Sequence, residues 1–170
     1  MRRTISTATQ YARNAVFAGL MPLAIDKLMP NKWLNDNEEG GKNQYEEEFL
    51  KRLMSQNGKS WKFSFDKLVR PEQGRKLVDN IQKVYDADFS VVVYNFLDIL
   101  SHARTETDII RELTEDEAAF RSLTRSWFEH SDLYTILRLL SERGHTVVIT
   151  SDHGTIRVDN PVKVTADRET

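Results

Sequence analysis

Two short segments of the chain each bring a carboxylate and an imidazole close together. Asp98 and His102 are four residues apart, and Asp152 and His153 are adjacent. Four-residue spacing places two side chains on one face of a helical turn. Carboxylate oxygen and imidazole nitrogen suit zinc, and also manganese or iron. The two segments therefore predict metal ligands, and Gly154 would let the backbone turn sharply beside the second pair.

Each pair also has an ordinary structural explanation. Asp152 can cap a turn after a strand, and His153 can be a surface residue with satisfied hydrogen bonds. The same alternative stays open for Asp98 with His102. The metal interpretation gains support because each pair follows one of the two strongest strand patterns in the sequence.

A third segment, residues 6–14, offers hydroxyl groups at the start of a helical pattern. Ser6, Thr7 and Thr9 all lie there. A hydroxyl at a helix N-terminus faces unpaired backbone N–H groups and the positive end of the helix dipole. That setting favours an alkoxide nucleophile and a bound phosphate. The alternative is an ordinary helix cap.

The elements that must position these segments are predicted from apolar patterns. Residues 89–96 and 145–150 are near-continuous apolar runs, typical of strands buried on both faces. Further predicted elements are a short strand at 61–65 and helices at 9–21, 22–30, 45–54, 71–85, 114–128 and 132–143. Strands alternating with helices predict an α/β domain with a largely parallel sheet flanked by helices. We expect 89–96 and 145–150 to be adjacent or near-adjacent parallel strands, with ligands bound beyond their carboxyl ends.

Composition narrows the class of protein. The chain has 170 residues, of which 39% are hydrophobic and 29% charged, as in a soluble globular domain. A net charge of −2 gives no overall basic balance for nucleic acid. Since there is no cysteine, any metal must be held by oxygen and imidazole. No apolar run approaches the roughly 20 residues that span a membrane, and no signal peptide is recognised, so the expected location is the cytoplasm.

The three segments, in their order, resemble the alkaline phosphatase superfamily, particularly its phosphodiesterase branch. Residues 7–9 (Thr-Ala-Thr) followed by residues 19–22 (Gly-Leu-Met-Pro) match the branch's Thr-x-Thr and Gly-Leu-x-Pro stretches. By that spacing Thr9, rather than Thr7, takes the nucleophile's place. The carboxylate–imidazole pairs match the branch's Asp-x-x-x-His and Asp-His pairs.

Longer stretches are similar to the PglZ domain over essentially the whole chain. They are Ser-Thr-Ala-Thr-Gln-Tyr-Ala-Arg-Asn from Ser6, Glu-Gly-Gly-Lys-Asn from Glu39, Phe-Leu-Asp-Ile-Leu-Ser-His-Ala-Arg from Phe96, Arg-Ser-Trp-Phe from Arg125 and Thr-Ser-Asp-His-Gly-Thr-Ile from Thr150. The amino-acid sequence of these stretches is most similar to the PorX type of response regulator, in which a receiver domain precedes the PglZ domain. Such systems regulate type IX secretion.

The resemblance implies a metal-dependent phosphoryl-transfer domain of the phosphodiesterase or phosphatase type. Thr9 would be the nucleophile and carry a phosphothreonine intermediate. One zinc would lie among Thr9, Asp152 and His153, and a second between Asp98 and His102, with manganese or iron as other candidates. The five side chains should therefore converge at one rim of the sheet.

Substrate contacts are predicted for three residues near these ligands. Asn14 and Arg13 follow Thr9 by about one helical turn, and Arg104 follows the first ligand pair. Each could contact phosphate oxygens, as could Arg157. That the arginines are ordinary solvated residues stays open.

The resemblance also implies segments that this sequence lacks. The family's upstream aspartate ligand, its last histidine ligand and the receiver domain have no counterpart, so residues 1–170 are expected to be a partial PglZ domain, incomplete at both ends. Weak zinc binding and little or no diesterase activity are expected of the chain alone. Expected partners are a phosphate ester, with nucleotides among the candidates, and proteins of two-component signalling, with no membrane and with a homodimer left open. The alternative is a non-catalytic signalling or protein-interaction module that keeps the fold.

Overall fold

The structure, a computed structural model, describes residues 9–33, 43–97, 99, 100, 103 and 107–154. The chain divides into two compact units. The first comprises Met1–Leu53 with Thr150–Thr170, and the second comprises Met54–Ile149. Within the described ranges, no helix combines the length and apolar character needed to cross a membrane.

Helices build the described part of the first unit. They are α1 (Thr9–Ala18), α2 (Pro22–Leu28), a 3-10 helix (Pro30–Lys32) and the beginning of α3 (Glu46–Gln56). Gly19 has a φ of 62°, a conformation that side chains other than glycine rarely adopt, so α1 ends there rather than at the predicted Met21. Pro22 opens α2 at its first position, where the missing N–H costs no helical hydrogen bond.

The core of this unit packs the carboxyl-terminal end of α1 against α2 and α3. Ala18, Ile25 and Phe49 are almost completely buried. The partly buried residues around them are Phe17, Leu20, Met29, Trp33 and Tyr45. Val16, which the apolar pattern assigns to the buried face of α1, is 54% exposed. Arg13 and Asn14 are 9% and 3% exposed, so the buried face of the helix carries polar residues as well as apolar ones.

The second unit contains a parallel pair of strands, as predicted for the fold class. Strand β1 (Phe63–Leu68) pairs with β2 (Phe89–Tyr94), in a register that sets Phe63 opposite Phe89. Parallel strands require a crossover connection, and α4 (Pro71–Asp79) and α5 (Gln82–Tyr85) supply it. The remaining helices are α6 (Asp108–Leu113), α7 (Glu117–Glu129) and α8 (Asp132–Glu142). The predicted helix at 71–85 is thus interrupted near Asn80.

Helices pack on the sheet through one apolar cluster. Leu68 of β1, Leu77 of α4, Val84 of α5 and Ile136 of α8 are buried together. Ser131 caps α8 by accepting a hydrogen bond from the backbone N–H of Tyr134. The sheet and its crossover helices therefore share one core with α8.

The prediction of a buried strand at 145–150 is wrong. These residues form no strand, and Val147, Val148 and Ile149 are 43%, 84% and 79% exposed. The strand next to β2 is β1, and every residue of β2 is only partly buried, so burial on both faces is also wrong. An apolar run shows that burial would be favourable, but a strand forms only where a neighbour provides the hydrogen-bond ladder. Among the described residues, β2 receives that ladder from β1.

Helices α4 and α8 approach closely at Gly74. A Cβ at this position would lie 2.9 Å from Asp132 Oδ2 and 3.0 Å from Asp132 Cβ. Because Asp132 Cβ is bonded directly to the backbone, rotation of the Asp132 side chain cannot relieve its contact with the added Cβ. The two helices would have to move apart. We expect Gly74→Ala to lower the free energy of unfolding by about 1–3 kcal/mol, although alanine favours a helix by about 1 kcal/mol. Denaturant unfolding measures this change, and a gain in stability would contradict the close approach.

Candidate active site

The hydroxyl of Thr9 lies at the start of a helix. Thr9 is the first residue of α1, and its side chain is partly buried. The first-turn N–H groups of a helix have no intrahelical acceptors and carry the positive end of the dipole. An oxyanion at this position is therefore stabilised by the backbone of its own helix.

The segment Asp152-His153 reaches this hydroxyl from the other end of the chain. The Nε2 atom of His153 lies 3.4 Å from Thr9 Oγ1, although the two residues are 144 positions apart. Asp152 Oδ2 lies 3.7 Å from the same Nε2 atom. The structure thus brings a hydroxyl, an imidazole and a carboxylate together, all within the first unit.

The second ring nitrogen of His153 has a backbone partner. Nδ1 lies 3.2 Å from the carbonyl oxygen of Gly154. A proton on Nδ1 would donate to this carbonyl and leave the Nε2 lone pair directed at Thr9 and Asp152. A hydrogen bond of this kind selects the tautomer and the ring orientation of a metal-binding histidine. Gly154 therefore contributes its carbonyl as well as its lack of a side chain.

The three groups fit a metal ion. Asp152 Oδ2 is buried and accepts no hydrogen bond from the described part of the chain. A buried carboxylate oxygen without a donor is unfavourable, and a cation removes that cost. Ligands on a tetrahedral zinc with bonds of about 2.0–2.1 Å are about 3.3 Å apart, close to the observed 3.4 Å and 3.7 Å. Across the described ranges, no group of three or more His, Asp or Glu side chains gathers, so the hydroxyl is the third group here.

The other predicted ligand pair, Asp98 and His102, lies outside the described residues, as do Arg104 and Arg157. Their roles stay predictions. Phe96, two residues beyond the end of β2, stacks on Trp127 with ring centroids 3.5 Å apart.

Arg13 lies on the same face of α1 as Thr9, one turn further along. It is only 9% exposed, so the alternative that Arg13 is a solvated helix residue is wrong. Its Nη2 atom lies 2.6 Å from Oε1 of Glu46, the first residue of α3. A contact between Arg13 and substrate phosphate stays a prediction, whereas the buried ion pair is present in the structure.

Asn14 is also buried, at 3% exposure. It lines a shallow polar pocket together with Lys32, Asn43, Gln44 and Tyr45. Its predicted contact with phosphate remains a prediction.

No pattern in the sequence singles out Glu46 as part of the site. It is the first of three consecutive glutamates, and an acidic first turn is ordinary on a solvated helix. Glu47 and Glu48 are indeed exposed, while Glu46 is 1% exposed. The burial of Arg13 is what points to Glu46, because a buried arginine requires a buried anion as its partner. That burial is seen in the structure and not in the sequence.

Comparison with known protein families gives a match over residues 1–170 to the BREX system PglZ alkaline phosphatase-like domain. No curated protein matches the chain. The helix-rich structure with its short parallel sheet agrees with an α/β fold of the alkaline phosphatase type. The match over residues 1–170 shows that the chain belongs to the PglZ family of alkaline phosphatase-like domains.

Proposed function

We propose that the protein is a metal-dependent phosphoesterase in which Thr9 is the nucleophile and Asp152 and His153 hold a metal ion. The observation that carries the proposal is the 3.4 Å approach of His153 Nε2 to Thr9 Oγ1 across 144 residues. Membership of an alkaline phosphatase-like family supports phosphoesterase-type activity. The buried Asp152 oxygen supports the metal.

Thr9, the metal ligands and the first turn of α1 have different roles in the proposed phosphoryl transfer. Thr9 Oγ1 gives up its proton to solvent and attacks phosphorus while the bond to the leaving-group oxygen breaks on the opposite side, and that oxygen takes a proton from water. The phosphoryl group then rests on Thr9 until water releases it and the hydroxyl is restored. A bound divalent metal supplies Lewis-acid chemistry, favouring the ionised hydroxyl and neutralising phosphate charge. The first turn of α1 adds N–H groups directed at the same negative charge.

The finer parts of the proposal come from the PglZ resemblance. Asp98 and His102 would hold a second metal, zinc is the proposed ion at both positions, and manganese and iron are the other candidates. Asn14 and Arg104 would contact the phosphate. Phosphodiesters, nucleotides and phosphomonoesters are all compatible substrates.

The PorX-type resemblance suggests the cellular setting. We propose a PglZ domain that follows a receiver domain in a cytoplasmic two-component response regulator, with a connection to type IX secretion. Its protein partners would then be other members of the signalling system.

Hydrolysis of bis-(p-nitrophenyl) phosphate and p-nitrophenyl phosphate by the full-length protein tests the function. The protein is first freed of metal by a chelator and then assayed with zinc, manganese or iron. We expect turnover that depends on added metal. A folded protein that binds none of these metals and hydrolyses neither ester would instead support the non-catalytic signalling module.

A further inference from the structure

We infer that the buried Arg13–Glu46 ion pair positions Thr9 for attack. This inference rests on the proposed role of Thr9 as nucleophile. It gives Arg13 a positioning role in place of the phosphate contact that the family resemblance implies, and it gives Glu46 a role that no sequence motif assigns.

The geometry connects the ion pair to the nucleophile through one turn of helix. Arg13 follows Thr9 by four residues, so both side chains lie on one face of α1. The side chains of Arg13 and Glu46 are 10% and 1% exposed, and their nearest charged atoms are 2.6 Å apart. Because Glu46 begins α3, the contact fixes the amino-terminal half of α1 directly to a second helix.

The energetics explain why a buried ion pair needs a role beyond stability. Removing two charges from water is costly, and a well-packed apolar pair is often equally or more stabilising. The ion pair nevertheless holds two charged atoms 2.6 Å apart, a short separation that an apolar contact would not impose. The apolar core fixes the other end of α1, around Ala18, Ile25 and Phe49. The ion pair therefore adds a restraint one helical turn from Thr9, next to the stacking of Tyr11 on Trp33 at 5.8 Å between ring centroids.

Small displacements of a nucleophile have large effects on rate. A misplacement of about 1 Å can reduce turnover by about a hundredfold. If α1 rolled or slid at its amino-terminal end, Thr9 Oγ1 would lose its 3.4 Å approach to His153 Nε2. The rate of phosphoryl transfer should then fall while affinity for substrate is kept.

The test compares variants of the full-length protein. Glu46→Gln keeps the shape of the side chain and removes its charge. Arg13→Met combined with Glu46→Leu replaces the ion pair by an apolar contact. Glu47→Gln is the matched control, since Glu47 is exposed on the same turn and pairs with Lys51 at 2.9 Å.

We expect Glu46→Gln to lower kcat about 10- to 100-fold with KM changed less than about threefold. The double variant should recover thermal stability but not the full kcat, and Glu47→Gln should behave as the parent protein. Hydrogen exchange gives a readout that is independent of turnover. Amides of residues 13–16 donate to the first turn of α1. They should exchange about tenfold faster in Glu46→Gln, while amides of the Ile25–Phe49 core are unchanged.

Three results would overturn the inference. A raised KM in the double variant, with normal kinetics in Glu46→Gln, would show that Arg13 contacts phosphate directly. A lowered melting temperature of Glu46→Gln with unchanged kcat in the folded protein would show that the ion pair stabilises the fold without positioning Thr9. Unchanged exchange at residues 13–16 in Glu46→Gln would show that the pair does not restrain the turn. If the parent protein lacks turnover, the proposed function fails, but the exchange experiment still decides whether the pair holds Thr9.

Discussion

Replacing Thr9 by alanine should lower turnover of a phosphate ester by about a thousandfold or more, as expected when a covalent nucleophile is removed. The side chain supplies the only atom proposed to bond to phosphorus, and its Oγ1 lies 3.4 Å from His153 Nε2. Steady-state hydrolysis of bis-(p-nitrophenyl) phosphate by the full-length protein measures the loss. Mass spectrometry of quenched protein should detect a phosphorylated peptide containing Thr9 in the parent and none in the variant.

Two controls separate loss of the nucleophile from damage to the helix. Thr9→Ser keeps the hydroxyl and should retain part of the activity. Thr124→Ala removes a hydroxyl that donates to the carbonyl of Phe120 within α7, and it should leave turnover unchanged. Turnover that survives in Thr9→Ala would remove Thr9 from the nucleophile's role.

Asp152→Asn should remove the stabilisation that metal binding beside Thr9 provides, without destabilising the metal-free form. In the parent protein the buried Oδ2 atom has no donor among the described residues, and metal binding would neutralise it. A metal present at about a hundred times its Kd stabilises a folded protein by about 2.7 kcal/mol. Thermal unfolding with zinc or with a chelator measures this gain. The variant should lose the part of this gain that comes from metal bound beside Thr9, and keep any part that comes from the second proposed metal position.

The change in stability of the metal-free Asp152→Asn variant shows whether the Asp152 charge itself destabilises the metal-free protein. An amide removes an uncompensated buried charge, so the metal-free variant should be as stable as the parent or more stable. Asp108→Asn is the matched control, because Asp108 has a side chain that is 94% exposed. Undiminished zinc stabilisation of Asp152→Asn would show that Asp152 is not a ligand.

The features that could be predicted from the sequence are those set by neighbouring residues. The glycine at position 19 and the proline at position 22 end one helix and begin the next, and both act through their own backbone. An apolar β-branched run is also visible in the local sequence, and it predicted β2. The adjacent residues Asp152 and His153 are visible in the same way as a candidate ligand pair. The parallel class of the sheet followed from the alternation of strands and helices.

Features that depend on distant partners were not predictable in the same way. The run at 145–150 has strand composition, but composition does not provide the hydrogen-bonded neighbour that makes a strand. The pairing of β2 with β1 was missed for the same reason. Glu46 pairs with Arg13 across 33 positions, and nothing near either residue specifies the other. The buried polar face of α1 therefore became visible only in three dimensions.

The approach of Thr9 to His153 also sets the time at which the site can first exist in a cell. A ribosome must add 144 residues after the nucleophile before the imidazole is part of the chain. At about 5–20 residues per second, that interval is roughly 7–30 s. During this interval α1 can fold, but Thr9 lies at the start of the helix without the His153 imidazole beside it. The proposed site would thus stay incomplete until His153 has been added, after most of the described residues.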